Sequence, residues 1–103
     1  MPAYYQATLV IRPTLRAQLY QVLDEFVPLL GTFGFKLLHA FSSVTGNVST
    51  LVHIWEIRDA NMLMDGIQSW RDHPDFPRLS AKLYECIISE EVMLLRKTPY
   101  SPS

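Results

Sequence analysis

The stretch LVHIWEIRD, residues 51–59, sets an imidazole and an indole two positions apart. In an extended chain successive side chains point to opposite sides, so His53 and Trp55 share one side of a strand. A cavity beneath that side would hold a titrating nitrogen against a large flat wall, an arrangement suited to proton transfer on an aromatic or polyketide-like molecule. The competing assignment is a filled core in which the indole N–H and an imidazole nitrogen are bonded internally. Other side chains can join the pair. His39 and Phe41 lie on the neighbouring apolar run, and they add a second titrating group and another aromatic wall if the register of the two runs brings them alongside. Tyr4 and Tyr5 straddle the two sides of the first run, so that one of them, taken as Tyr5, can donate a phenol hydrogen bond to a ligand oxygen. Trp70 stands near the end of a helical segment that can close over the same space. The candidate set is therefore His53 and His39 for catalysis, with Trp55, Tyr5, Trp70 and Phe41 for binding.

Other chemistries find no support. His53 and Glu56 are three apart, a metal-binding interval on a helix, but on a strand it sends the two to opposite faces. No metal site and no cofactor are expected. Cys86 falls on the apolar side of a helical pattern, where a thiol behaves as a small hydrophobe. No glycine-rich phosphate loop and no nucleophile elbow occur in the chain.

The elements that must position these residues follow from periodicity. Tyr4 to Ile11 is a β-branched and aromatic run that stops at Arg12-Pro13, a first strand. Thr14 is placed to cap a helix with Leu15, Leu19, Val22, Leu23, Phe26 and Leu30 on one face; Pro28 should bend or end it, and Gly31 or Gly34 should close its exit. Phe35–Ser43 and Ser49–Ile57 make a hairpin in which Gly46-Asn47 supplies the positive φ angles of the turn. Asp59 caps a second helix carrying Leu63, Ile67 and Trp70, ended near Asp72 by Pro74. A short third helix follows, with Phe76, Leu79, Leu83 and Cys86 or Ile87 in phase, and Val92–Leu95 forms a fourth strand. The order is the βαββα(α)β of a ferredoxin-like α+β fold with an antiparallel sheet, a single domain over residues 1–103 whose last seven residues, 97–103, are an irregular tail.

Nearly half of the 103 residues are apolar, and 18% are charged. On the second and third strands both alternating sets of side chains are largely apolar, although the relative register is not visible in sequence. Helices cover one face of a sheet only, so a second copy of the chain is expected to shield the other, giving a homodimer with a dimeric α+β barrel. The net charge of −1 comes from scattered charges and gives no footprint for nucleic acid. No apolar run approaches the ~20 residues needed to span a membrane. One cysteine suits a reducing, cytoplasmic setting. Two functions remain: a small homodimeric protein binding a hydrophobic aromatic or polyketide-like molecule, with cofactor-free cyclisation, isomerisation or oxidation by general acid/base chemistry, or a non-catalytic dimeric binding or interaction module.

The segment VHIWEIRDANMLMDGIQSWRDHPDF resembles the second half of the NIPSNAP domain, in which a His-x-Trp strand runs into a helix and then an acidic-Pro-aromatic segment. LLRKTPYSPS resembles the strand and Pro-aromatic-Ser-Pro tail that closes that domain, and Gly34 matches the glycine before its second strand. The chain departs from the family pattern at Gln6-Ala7-Thr8, where a Glu-Leu-Arg type strand is usual, and at Met62-Leu63-Met64, which lacks the helix-two arginines. The resemblance implies membership of the dimeric α+β barrel superfamily and hence a dimer. It does not choose a reaction, because that superfamily hosts many.

Overall fold

β1 (Ala3–Ile11) buries Ala3, Ala7, Leu9 and Ile11 on one side, the alternation expected of a strand with helices on one face. In the computed structural model, which describes residues 1–102, it is followed by a single 3₁₀ turn and by α1 (Arg16–Thr32), β2 (Lys36–Ser42), β3 (Thr50–Ile57), α2 (Met62–Asp72), α3 (Phe76–Cys86) and β4 (Ile87–Leu95). All strand pairs are antiparallel, in the order β2-β3-β1-β4. The three helices pack on the face that carries Leu9, Leu51, Trp55 and Ile57, where the core lies.

Local chemistry explains most boundaries. The 3₁₀ turn at Pro13–Leu15 replaces the expected Thr14 cap, since a proline at the first position fixes φ and has no N–H to satisfy. Pro28 does not end α1, which runs on to Thr32. The helix closes instead at Gly34, whose φ of +95° allows the Gly34 N–H to bond Gly31 O and the Phe35 N–H to bond Leu30 O, a Schellman closure. Leu30 and Phe35 then pack together in the core, which is the contact that accompanies this motif. At the hairpin only Gly46 takes positive φ; Asn47 instead accepts the Ser49 N–H on its side chain. Asp59 Oδ1 accepts the Met62 N–H at 3.0 Å, and this capping bond holds its carboxyl below the usual carboxylate range. Arg78 donates to both carboxylate oxygens of Glu25, linking α3 to α1 at an exposed and therefore weak site.

Two expectations are corrected. The sheet is open, with β2 and β4 each paired along one side only, and it is not closed into a barrel. Within one chain the edge strands β2 and β4 do not meet, and its four strands are half of the roughly eight that a filled barrel takes. The face away from the helices is also less oily than β2 and β3 suggest, because the central strand β1 places Gln6 and Thr8 there and β4 opposes them with Met93 and Glu91. The dimeric α+β barrel inferred from the residues and from the superfamily is therefore replaced by an open four-stranded antiparallel sheet with three helices on one side. The second correction concerns β4, which begins at Ile87 rather than Val92: the polar pair Glu90-Glu91 lies inside the strand. No helix among the described residues is long and apolar enough to cross a membrane.

Candidate functional site

Register decides what surrounds His53. Across the helix-covered face it stands opposite Ala40 of β2 on one side and Ala7 of β1 on the other, and Ala7 in turn faces Val92. A single methyl on each flank leaves space beside the imidazole in both directions. Over Ala7, beneath the helices, lies an inner cavity of about 260 Å³. Beside Ala40, between α1 and β2, lies an open trough of about 650 Å³. His53 and Leu23 line both.

The imidazole of His53 is only 6% exposed, yet among the described residues it has no hydrogen-bond partner on the protein, and burial alone lowers its pKa below 6.5. No sealed side-chain nitrogen or oxygen of the described residues lacks a partner, so the free nitrogens of His53 must open onto the voids. At neutral pH the ring is uncharged, with one nitrogen able to accept a proton and the other able to donate. The fully satisfied core histidine is not what the fold contains.

The inner cavity is walled by aromatic rings held edge to face. Trp55 stands 6.3 Å from His53 and 6.4 Å from Phe35; Trp70, from α2, is wedged 5.0 Å from Phe26 and 4.9 Å from Phe76. These contacts fix the rings without filling the space between floor and roof. Tyr5 reaches the same cavity. Burial raises the pKa of its phenol, and the nearby Glu90 carboxylate raises it further, so Tyr5 stays protonated and able to donate. Glu90, on the edge strand opposite Leu9, has its own pKa raised by partial desolvation. Arg71, Ser80 and Tyr84 add polar groups.

The structure thus brings together His53, Trp55, Tyr5 and Trp70. It separates His39 from them. A β-bulge between Leu37 and His39 shifts the register, so that His39 pairs with Ile54 and Phe41 with Val52, on the alternation opposite to His53. His39 stacks on Phe41 at 5.5 Å and is exposed; Phe41 touches only the trough. The placement of His39 beside His53 is corrected accordingly, and its place in the row belongs to Ala40. His73, below Trp70, accepts the Asp75 N–H on Nδ1 and packs against Phe33 away from the cavity. Sequence reasoning missed Glu90, because a charged residue in an edge strand carries no local sign of facing a cavity. It also missed Leu23 and Asp24, whose stripe on α1 is a plain amphipathic pattern. Among the described residues no cluster of three potential metal ligands occurs.

Replacing Glu90 by Gln should lower the titration midpoint of the Tyr5 phenol yet leave it above 10.0, since burial, the larger cause, is untouched. Ultraviolet phenolate titration of the wild type, Glu90→Gln and Tyr5→Phe separates this signal from the other tyrosines. An unchanged midpoint would show that Glu90 does not act on Tyr5.

The chain is an open α+β sandwich, a four-stranded antiparallel sheet with three helices on one face and an aromatic-lined cavity beside His53. The NIPSNAP family profile matches residues 4–102, and the chain belongs to that family. Its fold is similar to an uncharacterized NIPSNAP domain protein from Burkholderia xenovorans (TM-score 0.84, 12% identity, 98% of this chain and 99% of that one covered). It is also similar to a NIPSNAP family protein of unknown function from Agrobacterium tumefaciens (TM-score 0.86, 19% identity, 98% and 92% covered). A protein from Mycobacterium tuberculosis shares the fold more loosely (TM-score 0.72, 19% identity, 99% and 100% covered). At these identities the likeness concerns the fold alone. No curated protein matches the chain.

Proposed function

We propose that the protein binds a hydrophobic aromatic or polyketide-like small molecule in the inner cavity and moves a proton on it without a cofactor. The observation that carries this is His53, buried and unpartnered between two voids. A polar side chain largely withdrawn from water, with no protein partner and its nitrogens facing the voids, is placed to hydrogen-bond a ligand hydroxyl or carbonyl. Its depressed pKa keeps the imidazole a free base at neutral pH, the state a general base needs. Tyr5 would donate to the ligand oxygen on which charge develops, and Trp55 and Trp70 would stack on its ring. Such proton transfer serves cyclisation and isomerisation directly, and oxidation where dioxygen takes the electrons of the deprotonated ligand; the site's residues are the same for each. The buried Cys86 fits a reducing cytoplasm.

The test is titration with naphthol, a planar ring bearing one ionisable hydroxyl, followed by quenching of tryptophan fluorescence. Saturable quenching is expected, because both tryptophans line the cavity. Quenching that rises linearly without saturation would count against the reading.

We infer in addition that two copies associate through the water-facing side of the sheet, where Val10, Val52 and Ile54 adjoin the exposed Phe41 and Met93. Phe41→Asp should convert a dimer into a monomer in sedimentation velocity. A wild-type chain sedimenting as an 11.9 kDa species at micromolar concentration would remove this inference.

A further inference from the structure

The two voids beside His53 differ in kind, and that difference specifies a ligand more narrowly than a flat aromatic. The inner cavity, at about 260 Å³, falls just short of the roughly 300–1,000 Å³ usual for ligand pockets, whereas the open trough on the other side of His53, at about 650 Å³, falls within it. The trough is made from one stripe of α1, with Tyr20, Leu23, Asp24, Val27 and Pro28 at the spacing that places them on a single helical face. Its floor is Leu37, Ala40 and Ser42 of β2 with Leu51. Near His53 this lining is apolar. Farther along it turns polar and accepting: among the described residues the Asp24 carboxylate has no ion-pair or hydrogen-bond partner, and Pro28, lacking an N–H, cannot supply the usual helical bond to the Asp24 carbonyl. Tyr20 at the outer end is held by a 3.0 Å bond from Arg16 to its hydroxyl oxygen, which leaves its O–H free to donate.

We propose that the site is bipartite and takes an elongated ligand: a planar ring with a hydroxyl or carbonyl seated in the inner cavity at His53, extended past Leu23 by an apolar chain that lies in the trough and ends in an amine at Asp24. This rests on the reading of the inner cavity given above and adds the second compartment. His53 is the hinge of the arrangement because, among the described residues, it is the one polar side chain lining both spaces. An amine is favoured over an anionic end by the Asp24 carboxylate, which would repel a second negative charge.

Two probes separate the parts: naphthol, which fills the inner cavity only, and naphthol carrying an aminopentyl chain. The wild type should bind the chain-bearing probe about tenfold more tightly, the scale of one charge-assisted hydrogen bond at a partly open site. Asp24→Asn should remove most of that preference and leave naphthol binding unchanged. Ala40→Trp, on an exposed edge-strand position that lines the trough alone, should do the same by filling it. Equal affinity of the wild type for both probes, or a preference that survives both substitutions, overturns the bipartite site while the inner cavity stands. Failure of naphthol itself to bind overturns the inner-cavity reading and the proposal built on it.

Discussion

His53→Leu should yield a protein more resistant to urea than the wild type, by about 1–2 kcal/mol, and unable to bind naphthol. Leucine has similar volume, fills the same space between Ala7 and Ala40, and has no polar group to leave unpaired. The two halves of the result belong together. A histidine retained at a stability cost is retained for something it does, whereas an internally bonded core histidine would give the opposite sign, with loss of stability on substitution. The pH dependence adds a second signature. In the unfolded chain His53 titrates near 6.5, and in the folded chain below that value, so the unfolded state binds the proton first as pH falls. The stability associated with the neutral ring is therefore complete above pH 6.5 and is lost as pH drops through that value toward the depressed folded pKa. His53→Leu should lack this component. Unfolding curves at neutral pH and below read both effects, and a variant less stable than the wild type at neutral pH would sink the account of the site.

The second large effect is expected at Gly66. This glycine is buried on α2, and a β-carbon there would stand 2.5 Å from Cε2 and 3.0 Å from Cζ of Phe35, with the Phe33 carbonyl oxygen at 3.4 Å. In a helix interior Gly→Ala ordinarily gains about 1 kcal/mol. Here overpacking should outweigh that gain, at a cost of about 1–3 kcal/mol, because Phe35 cannot simply step aside. Its ring is held at 6.1 Å from Tyr5 and 6.4 Å from Trp55, and the open direction is the inner cavity. Gly66→Ala should therefore destabilise the fold and weaken naphthol binding together. Thermal unfolding and the fluorescence titration measure the two; a stabilised variant with intact binding would show that the helix can shift away from the sheet.

Much of this architecture is written in local pattern. The strands flanking Gly46, the helical phase from Leu15 to Leu30, and the Asp59 and Gly34 signals at helix ends each reflect forces acting over a few residues, which periodicity and turn chemistry report. What escapes is whatever depends on pairing. The bulge near Leu38 has no marker in the alternation of KLLHAFS, yet it sends His39 and Phe41 to the other face and puts Ala40 beside His53. The start of β4 is hidden because Ile87 also continues the helical phase of Leu79 and Leu83, and because Glu90-Glu91 interrupts the apolar run. Pro28 misleads in the other direction: one missing hydrogen bond does not end a helix that is anchored just beyond it by Leu30 in the core. The inner cavity opens over Ala7 and the trough beside Ala40, and small residues that leave room have no signature of their own. Tyr5, Trp55 and Trp70 were visible as aromatic residues on the right elements, but their convergence depends on the fold bringing β1, β3 and α2 together.

The unpaired margin of β4 carries a liability of another sort. Ile88, Val92, Met93, Leu94 and Leu95 are exposed along a strand whose outer backbone groups have no ladder partner. Such an edge recruits other extended chains into aggregates unless charge keeps them off, and within this strand the charge is supplied by Glu90 and Glu91 alone. Desolvation raises the pKa of the Glu90 carboxyl, so acidification weakens this guard, and clouding of concentrated solutions should set in from this strand as pH falls.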